Sequence, residues 1–249
     1  MNIDKAKFFD IPLIILDSKG YNCLISDQIL EKKKLVLFSE NLHSLYLQFY
    51  NKDFHDVKRT YATRIDGMPI VWLAKILGNP EVTRDHRLTW MDWKDTFFDN
   101  CNSKGHRLFY VGSKPEYSSK IKDYIGANFE NIQFECRHGY FTIESHEEEA
   151  LIQTINEFRP DIVLVGMGMP RQEFWVHSNY ERIDASVFLT CGAAMEYLIG
   201  EVNIPPRWMG RVGLEWLYRF WESPGRFYKR YFFEPWVLMY HIVKYKLRR

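Results

Sequence analysis

Short apolar runs rich in β-branched residues alternate with longer amphipathic stretches along most of this chain, and that alternation restricts the fold more than any other feature. The runs at residues 11–16, 35–38, 61–65, 108–111, 132–136, 162–165 and 187–189 read as strands. Residues 24–33, 41–51, 68–78, 92–103, 116–127, 147–158 and 171–181 carry apolar side chains near three- and four-residue spacing and read as helices. Parallel strands need crossover connections, so this order predicts an α/β fold, a Rossmann-like, largely parallel sheet with helices on both faces.

With 249 residues, 46% of them hydrophobic, the chain can bury a substantial core. Its net charge of +1 conceals an asymmetry. Residues 205–249 hold ten Lys or Arg against three Glu, a balance of +7, which leaves −6 on the first 204 residues. The expectation is a Rossmann-like catalytic core over 1–204 and a basic, aromatic-rich, helical, membrane-associating appendage over 205–249, which also holds four of the eight tryptophans. On a helix Trp216, Leu217, Phe220 and Trp221 share one face, and Arg211, Glu215, Arg219 and Glu222 the other. Such a stretch either lies on an anionic membrane or packs its aromatic face on the core, and the pattern favours neither.

Cys23, Cys101, Cys136 and Cys191 form no C-x-x-C pair, which argues against a zinc ribbon, a redox motif or a disulfide framework and fits a reducing compartment. The first apolar run is closed at once by Asp17, too short for a signal peptide, so the start reads as cytoplasmic. No window approaches the roughly 18–20 apolar residues of a membrane span. The best candidate, 236–243, is broken by His241.

In doubly wound sheets the ligand crevice lies beyond the carboxyl ends of the strands. Asp66-Gly67, Gly112 with Ser113, the segment from Gly166 to Glu173, and Cys191-Gly192 each follow a predicted strand. Gly166, Gly168 and Pro170 suit a strand-to-helix turn whose backbone N–H groups face a phosphate, although two glycines after a strand are more often a tight turn with no ligand. Gln172 and Glu173, in the first turn of the next helix, are candidates to point into the crevice. Asp66 is placed to take a proton from an attacking hydroxyl, and equally to cap the helix that begins at Gly67-Met68-Pro69. Arg84 and Arg87, flanking Asp85 and His86, read as substrate contacts or as a solvated loop. His138 and Tyr140 are candidate ligand contacts, although a lone histidine beside aromatics is more often structural. Arg219, Arg226 and Arg230 could reach a phosphate, but a basic run is usually a solvated or membrane-contacting face.

Together these segments resemble the WecG/TagA/CpsF family of glycosyltransferases from about Leu35 to Tyr231. The resemblance is carried by Asp66-Gly67-Met68-Pro69, by Gly139-Tyr140-Phe141, and by the stretch from Pro160-Asp161 to Gly166-Met167-Gly168-Met169-Pro170-Arg171-Gln172-Glu173. Pro206-Arg207-Trp208, Gly213-Leu214-Glu215-Trp216-Leu217-Tyr218-Arg219, Glu222-Ser223-Pro224-Gly225-Arg226 and Lys229-Arg230-Tyr231 complete it. It implies inverting transfer of N-acetylmannosamine, its uronate or a related sugar from a UDP donor to a polyprenyl-diphosphate-linked saccharide acceptor in cell-surface polysaccharide synthesis. The place of action would be the inner face of the cell membrane, peripherally, with no metal or other cofactor. By resemblance Asp66 matches the catalytic base, Gln172 an active-site glutamine, Asn41 an early crevice asparagine, and Arg207, Arg219 and Arg226 the motif arginines. Transfer from a nucleotide sugar expels a diphosphate whose charge needs a metal, Arg or Lys, or helix N-termini. With no D-x-D motif and many arginines, the metal-independent site is the expectation.

One segment departs from the family pattern: where members carry a V-x-G-x-D-L-like stretch, this chain has Val82-Thr83-Arg84-Asp85-His86-Arg87-Leu88. The added arginines suggest an acidic donor sugar. Three rival readings stand against the transferase. A dinucleotide oxidoreductase lacks its third glycine. A membrane-binding scaffold would be indifferent to Asp66. A nucleic-acid partner is not expected, because the basic surface is confined to an appendage without a recognised module. Self-association is open, with no number implied.

Overall fold

The structure is a computed structural model describing residues 5–247, with the side chains of residues 5–7, 207, 211, 226 and 246 outside what it describes. A hairpin of β1 (Lys5–Phe8) and β2 (Ile11–Ile14) leads into α1 (Ser18–Leu30), β3 (Leu35–Glu40), α2 (Leu42–Tyr50), α3 (Lys52–Thr60), β4 (Ala62–Ile65) and α4 (Met68–Ile76). Then come α5 (Trp90–Lys104), β5 (Arg107–Gly112), α6 (Ser118–Asn128), β6 (Gln133–Arg137), α7 (His146–Phe158), β7 (Ile162–Gly166), α8 (Arg171–Asn179) and β8 (Val187–Thr190). Five helices close the chain: α9 (Ala194–Leu198), α10 (Arg207–Val212), α11 (Glu215–Glu222), α12 (Pro224–Phe232) and α13 (Glu234–Leu247).

The strands form one sheet in the order β1-β2-β4-β3-β8-β7-β5-β6, with β1 antiparallel at one edge. The pairs β2–β4, β3–β8, β8–β7, β7–β5 and β5–β6 are parallel, as a chain of crossover helices requires. The fold is therefore the expected Rossmann-like α/β arrangement. The described residues divide into two compact units, one of 16–38 and 90–203, the other of 5–15, 39–89 and 204–247. β3 passes through both.

In the first unit the central strands β5, β7 and β8 are buried along almost their whole length, which is why they read as continuous apolar runs rather than alternating ones. Trp93 and Phe97 of α5 are fully buried, and the Trp93 indole N–H finds Asn22 Oδ1 at 2.8 Å. β6 keeps only Cys136 buried, as suits an edge.

The second unit is built round Phe8, Ile11, Leu13, Leu45, Ile65, Ile70 and Val71, and α13 adds Leu238, Ile242 and Tyr245 to this core. The Phe9 ring lies 4.7 Å from Tyr245, and Phe49 stacks on His241 at 4.5 Å. Residue 204, where the charge pattern changes, is also where the last segment of this unit starts, but that segment clusters with 39–89. In α11, Trp216 and Phe220 meet Tyr231 and Phe232 of α12 at 5.7 and 5.2 Å, whereas Trp221 is 86% exposed. The helix face expected to act as a whole is thus split between packing and solvent.

Asp17 starts α1 earlier than the apolar spacing suggested, its carboxylate accepting the Gly20 N–H at 2.8 Å. Three elements were not visible in the sequence pattern: β1, α3 and α9. The β1–β2 hairpin turns at Phe9 and Asp10, both at positive φ (48° and 63°), a two-residue turn made without the usual Asn-Gly signal. α3 is mostly polar, with Phe54 and Val57 as its buried apolar residues, so it lacks a helical stripe.

Candidate active site

The second unit carries the candidate base. β4 ends at Ile65, and the Asp66 N–H donates to the Glu40 carbonyl at the end of β3, 2.8 Å away. The residue that caps α4 is Gly67, at φ +119° and without a side-chain capping bond, so Asp66 is not spent on the cap. Its Oδ2 accepts from Asn41 Nδ2 at 3.4 Å. Asn41 is the N-cap of α2, its Oδ1 accepting the Ser44 N–H at 3.1 Å. The same Oδ1 also accepts from the Arg230 guanidinium at 3.4 Å. Asp66, Asn41 and Arg230 therefore form a line of contacts in which one amide links a carboxylate to a cation.

Burial pushes the Arg230 guanidinium below its ordinary pKa range; the like charge of Arg219 adds to this, and Tyr231, Glu234 and Asp66 oppose it. Glu234 in turn holds His43 Nδ1 through both oxygens, at 2.9 and 3.0 Å. Sequence reasoning offered Arg230 as one of three arginines that could reach a phosphate, with no link to Asn41. Nothing in its spacing from Asn41 announces the contact, because helix α12 must first fold back. The side chains of Arg207 and Arg226 lie outside the described residues.

Arg84 is exposed in a short helical turn, 84–86, while the side chain of Arg87 is 8% exposed and lies 3.7 Å from Glu215 of α11. His86 is turned back on its own loop, where Nδ1 accepts the Thr83 N–H at 2.9 Å. The departing segment thus offers one open arginine, not two.

The first unit carries the glycine-lined strand ends. Gly112 and Gly166 are register partners at the ends of β5 and β7, and a Cβ on either would come under 3.0 Å from the Tyr110 hydroxyl and a neighbouring backbone carbonyl. For Gly166 that carbonyl is Gly192's, and a Cβ on Gly139 would strike Met167. These glycines let four backbone segments converge. The Tyr110 hydroxyl beneath them pairs with Ser113 Oγ at 2.8 Å, and burial pushes its pKa well up, so it stays a neutral hydrogen-bonding group. Gly168 and Gly192 differ: each has open space around a Cβ, and each needs glycine for its positive φ of 80° and 54°.

Past Gly168 the Met169–Pro170 peptide is cis, and Pro170 precedes α8. Gln172 is 2% exposed, its Oε1 accepting the Gly168 N–H at 3.2 Å and its Nε2 donating to Glu173 Oε1 at 2.8 Å. Glu173 is fully buried. Both side chains are therefore buried, and Glu173 holds the Gln172 amide by this bond. Tyr140 is 67% exposed, and the neighbouring Phe141 is tied to α8 by the Arg171 guanidinium, which donates to its carbonyl and lies 5.3 Å from its ring centroid. Among the described residues no group of three or more His, Cys, Asp or Glu could hold a metal ion.

The sheet is Rossmann-like α/β, and in this class of fold ligands bind beyond the carboxyl ends of the strands. The model of the Glycosyl transferase WecG/TagA/CpsF family matches residues 6–249, and the chain belongs to that family of glycosyltransferases. Among its relatives is the N-acetylglucosaminyldiphosphoundecaprenol N-acetyl-beta-D-mannosaminyltransferase of Staphylococcus aureus strain MRSA252, 26% identical over 187 residues, which cover 74% of this chain and 68% of the relative. The protein of the same name from strain NCTC 8325 / PS 47 matches with the same identity and coverage.

Proposed function

We propose that this glycosyltransferase moves N-acetylmannosamine from a UDP donor to a polyprenyl-diphosphate-linked N-acetylglucosamine, with inversion and without a metal, at the inner face of the cell membrane. The observation that carries the reading is the Asp66–Asn41–Arg230 line. A carboxylate free of its helix cap can accept the proton of the acceptor hydroxyl as that oxygen attacks the anomeric carbon. One displacement with one base inverts the configuration. The bond to UDP breaks as the new one forms, and the negative charge on the departing diphosphate is met by guanidinium groups of residues 205–249. Gln172, held by Glu173, braces the loop before α8 by accepting the Gly168 N–H.

The acceptor and the sugar follow the names of the relatives. A neutral donor is preferred over a uronate because Arg87, one of the two arginines that would favour an acid, already faces Glu215. The test is UDP release by the purified chain with neutral and uronic UDP-sugars, each with and without a lipid-diphosphate-N-acetylglucosamine acceptor and EDTA. UDP-N-acetylmannosamine should give acceptor-dependent release that EDTA leaves unchanged. Reaction of uronic donors alone would overturn the donor assignment, and loss in EDTA the metal independence.

No helix among the described residues is long and apolar enough to cross a membrane. Attachment by the surface of α11–α13 is proposed instead, since Trp221, Phe233, Trp236 and Tyr240 are 86%, 58%, 69% and 63% exposed in a stretch that also carries Lys229 and Lys244. Residues 205–249 would then act as the membrane-associating appendage of the catalytic core. The full chain should co-sediment with anionic vesicles, less so at high salt, and the double change Trp221→Ser, Trp236→Ser should lower the bound fraction by about tenfold, roughly the loss expected when two interfacial aromatics are removed. Equal sedimentation with neutral vesicles, or no effect of the double change, would count against this surface.

A further inference from the structure

Just behind Asn41 lies a buried ion pair that the proposed chemistry does not use. Glu40, the last residue of β3, and Lys58 of α3 are both fully buried, with Lys58 Nζ 3.0 Å from Glu40 Oε2. Every oxygen of the carboxylate is occupied: Ser44 Oγ donates to Oε2 at 2.9 Å and Gln48 Nε2 to Oε1 at 2.8 Å. Lys58 also donates to the Ser39 carbonyl at 2.7 Å. A pair taken wholly out of water seldom adds stability over apolar residues of the same volume, whereas a fully satisfied buried polar network fixes geometry.

What this network fixes is the backbone that carries the candidate base. Glu40 accepts the Asp66 N–H on its own carbonyl, so the end of β3 sets where Asp66 sits. Ser44 serves two residues at once, its hydroxyl on Glu40 and its N–H on Asn41 Oδ1. Lys58 closes the arrangement from α3 by holding both the Glu40 carboxylate and the carbonyl one residue before it. We propose that the buried Glu40–Lys58 pair is a positioning device that holds Asp66 and Asn41 in the geometry needed for proton transfer from the acceptor. Neither residue touches substrate. The proposal rests on the reading of Asp66 as the base, and it assigns Glu40, Lys58, Ser44 and Gln48 a part in turnover.

The test is the double variant Glu40→Gln, Lys58→Met, which removes both charges with little change of volume. Misplacement of a reacting group by about 1 Å costs on the order of 100-fold in rate, so kcat should fall about 10- to 100-fold while the KM for the UDP donor stays within about twofold. The melting temperature should move by only a few degrees, since a neutral pair leaves no buried charge unpaired. A lowered melting temperature with wild-type kcat would overturn the proposal, leaving the pair a purely structural one. Should the double variant not fold, Gln48→Met withdraws one bond from the far side of the carboxylate. It should lower kcat about threefold or more at unchanged KM, a fraction of the full misplacement cost, and wild-type kcat there would equally overturn the proposal. Asp66→Asn, assayed beside them, separates the two ideas. An active Asp66→Asn enzyme removes the base assignment itself, whereas an inactive one beside a fully active Glu40, Lys58 variant removes only the positioning role.

Discussion

Asp66→Asn protein is expected to fold and melt as the wild type does and to lose acceptor-dependent transfer by a factor of about 10² to 10⁴, the usual contribution of a positioned general base. The fold should be indifferent because the substitution is isosteric and the bond that sets Asp66 in place is its backbone N–H to Glu40, which asparagine retains. Its side chain gives up only the 3.4 Å contact with Asn41 and caps no helix. Arg230→Gln should cost less, roughly tenfold, because removing one hydrogen-bonding charge is worth about 1.5–3 kcal/mol at most and Arg230 reaches Asp66 through Asn41. Both effects are read as acceptor-dependent UDP release beside a thermal melt. An Asp66→Asn enzyme keeping more than about a tenth of wild-type kcat would be incompatible with general-base catalysis by this residue.

The largest effect on stability is expected from Gly166→Ala. The added methyl would lie under 3.0 Å from the Gly192 carbonyl and the Tyr110 hydroxyl, and neither can retreat: one is backbone beyond β8, the other a fully buried ring. Forcing a methyl into so close a site typically costs about 1–3 kcal/mol, which for a chain of this size lowers the melting temperature by roughly 2–4 °C for each kcal/mol. Gly126→Ala is the matched control. It lies within helix α6 with nothing within 4 Å of the new methyl, so it should raise stability by about 0.5–1 kcal/mol. Thermal denaturation of the two variants decides the matter. If Gly166→Ala melted with the wild type, close packing would not be the reason for its glycine, and close approach of a ligand would remain the better one.

The parallel α/β architecture was legible because β5, β7 and β8 are buried on both faces and so appear as unbroken apolar runs. The β1–β2 hairpin and α3 were not: one turns on Phe9-Asp10, a dipeptide with no turn signature, and the other keeps its stripe to Phe54, Val57 and the buried Lys58. In the site, the position of Asp66 after β4 could be read from residue order, but its relation to the α4 cap could not. The cap falls to Gly67 because only glycine readily takes φ +119° there. The burial of both Gln172 and Glu173 could not be read from the sequence, because period alone does not say which side of a helix's first turn faces the core. Arg87 was a candidate substrate contact, and its neighbour Glu215, more than a hundred residues on, could not be read from residue order. Long-range pairs of this kind, Arg230 with Asn41 and Lys58 with Glu40 among them, leave no periodic trace in a sequence.

The most direct test of the central claim is the mass of the acceptor. Purified wild-type chain is incubated with UDP-N-acetylmannosamine and a short-chain polyprenyl-diphosphate-N-acetylglucosamine in detergent, and the lipid product is examined by mass spectrometry. The account predicts that the acceptor gains the mass of a single N-acetylhexosamine, joined through an inverted anomeric centre, and that Asp66→Asn yields at most about a hundredth as much in the same time. An acceptor of unchanged mass while UDP accumulates would mean that the donor is hydrolysed rather than transferred, and would contradict the assignment of a lipid-linked acceptor.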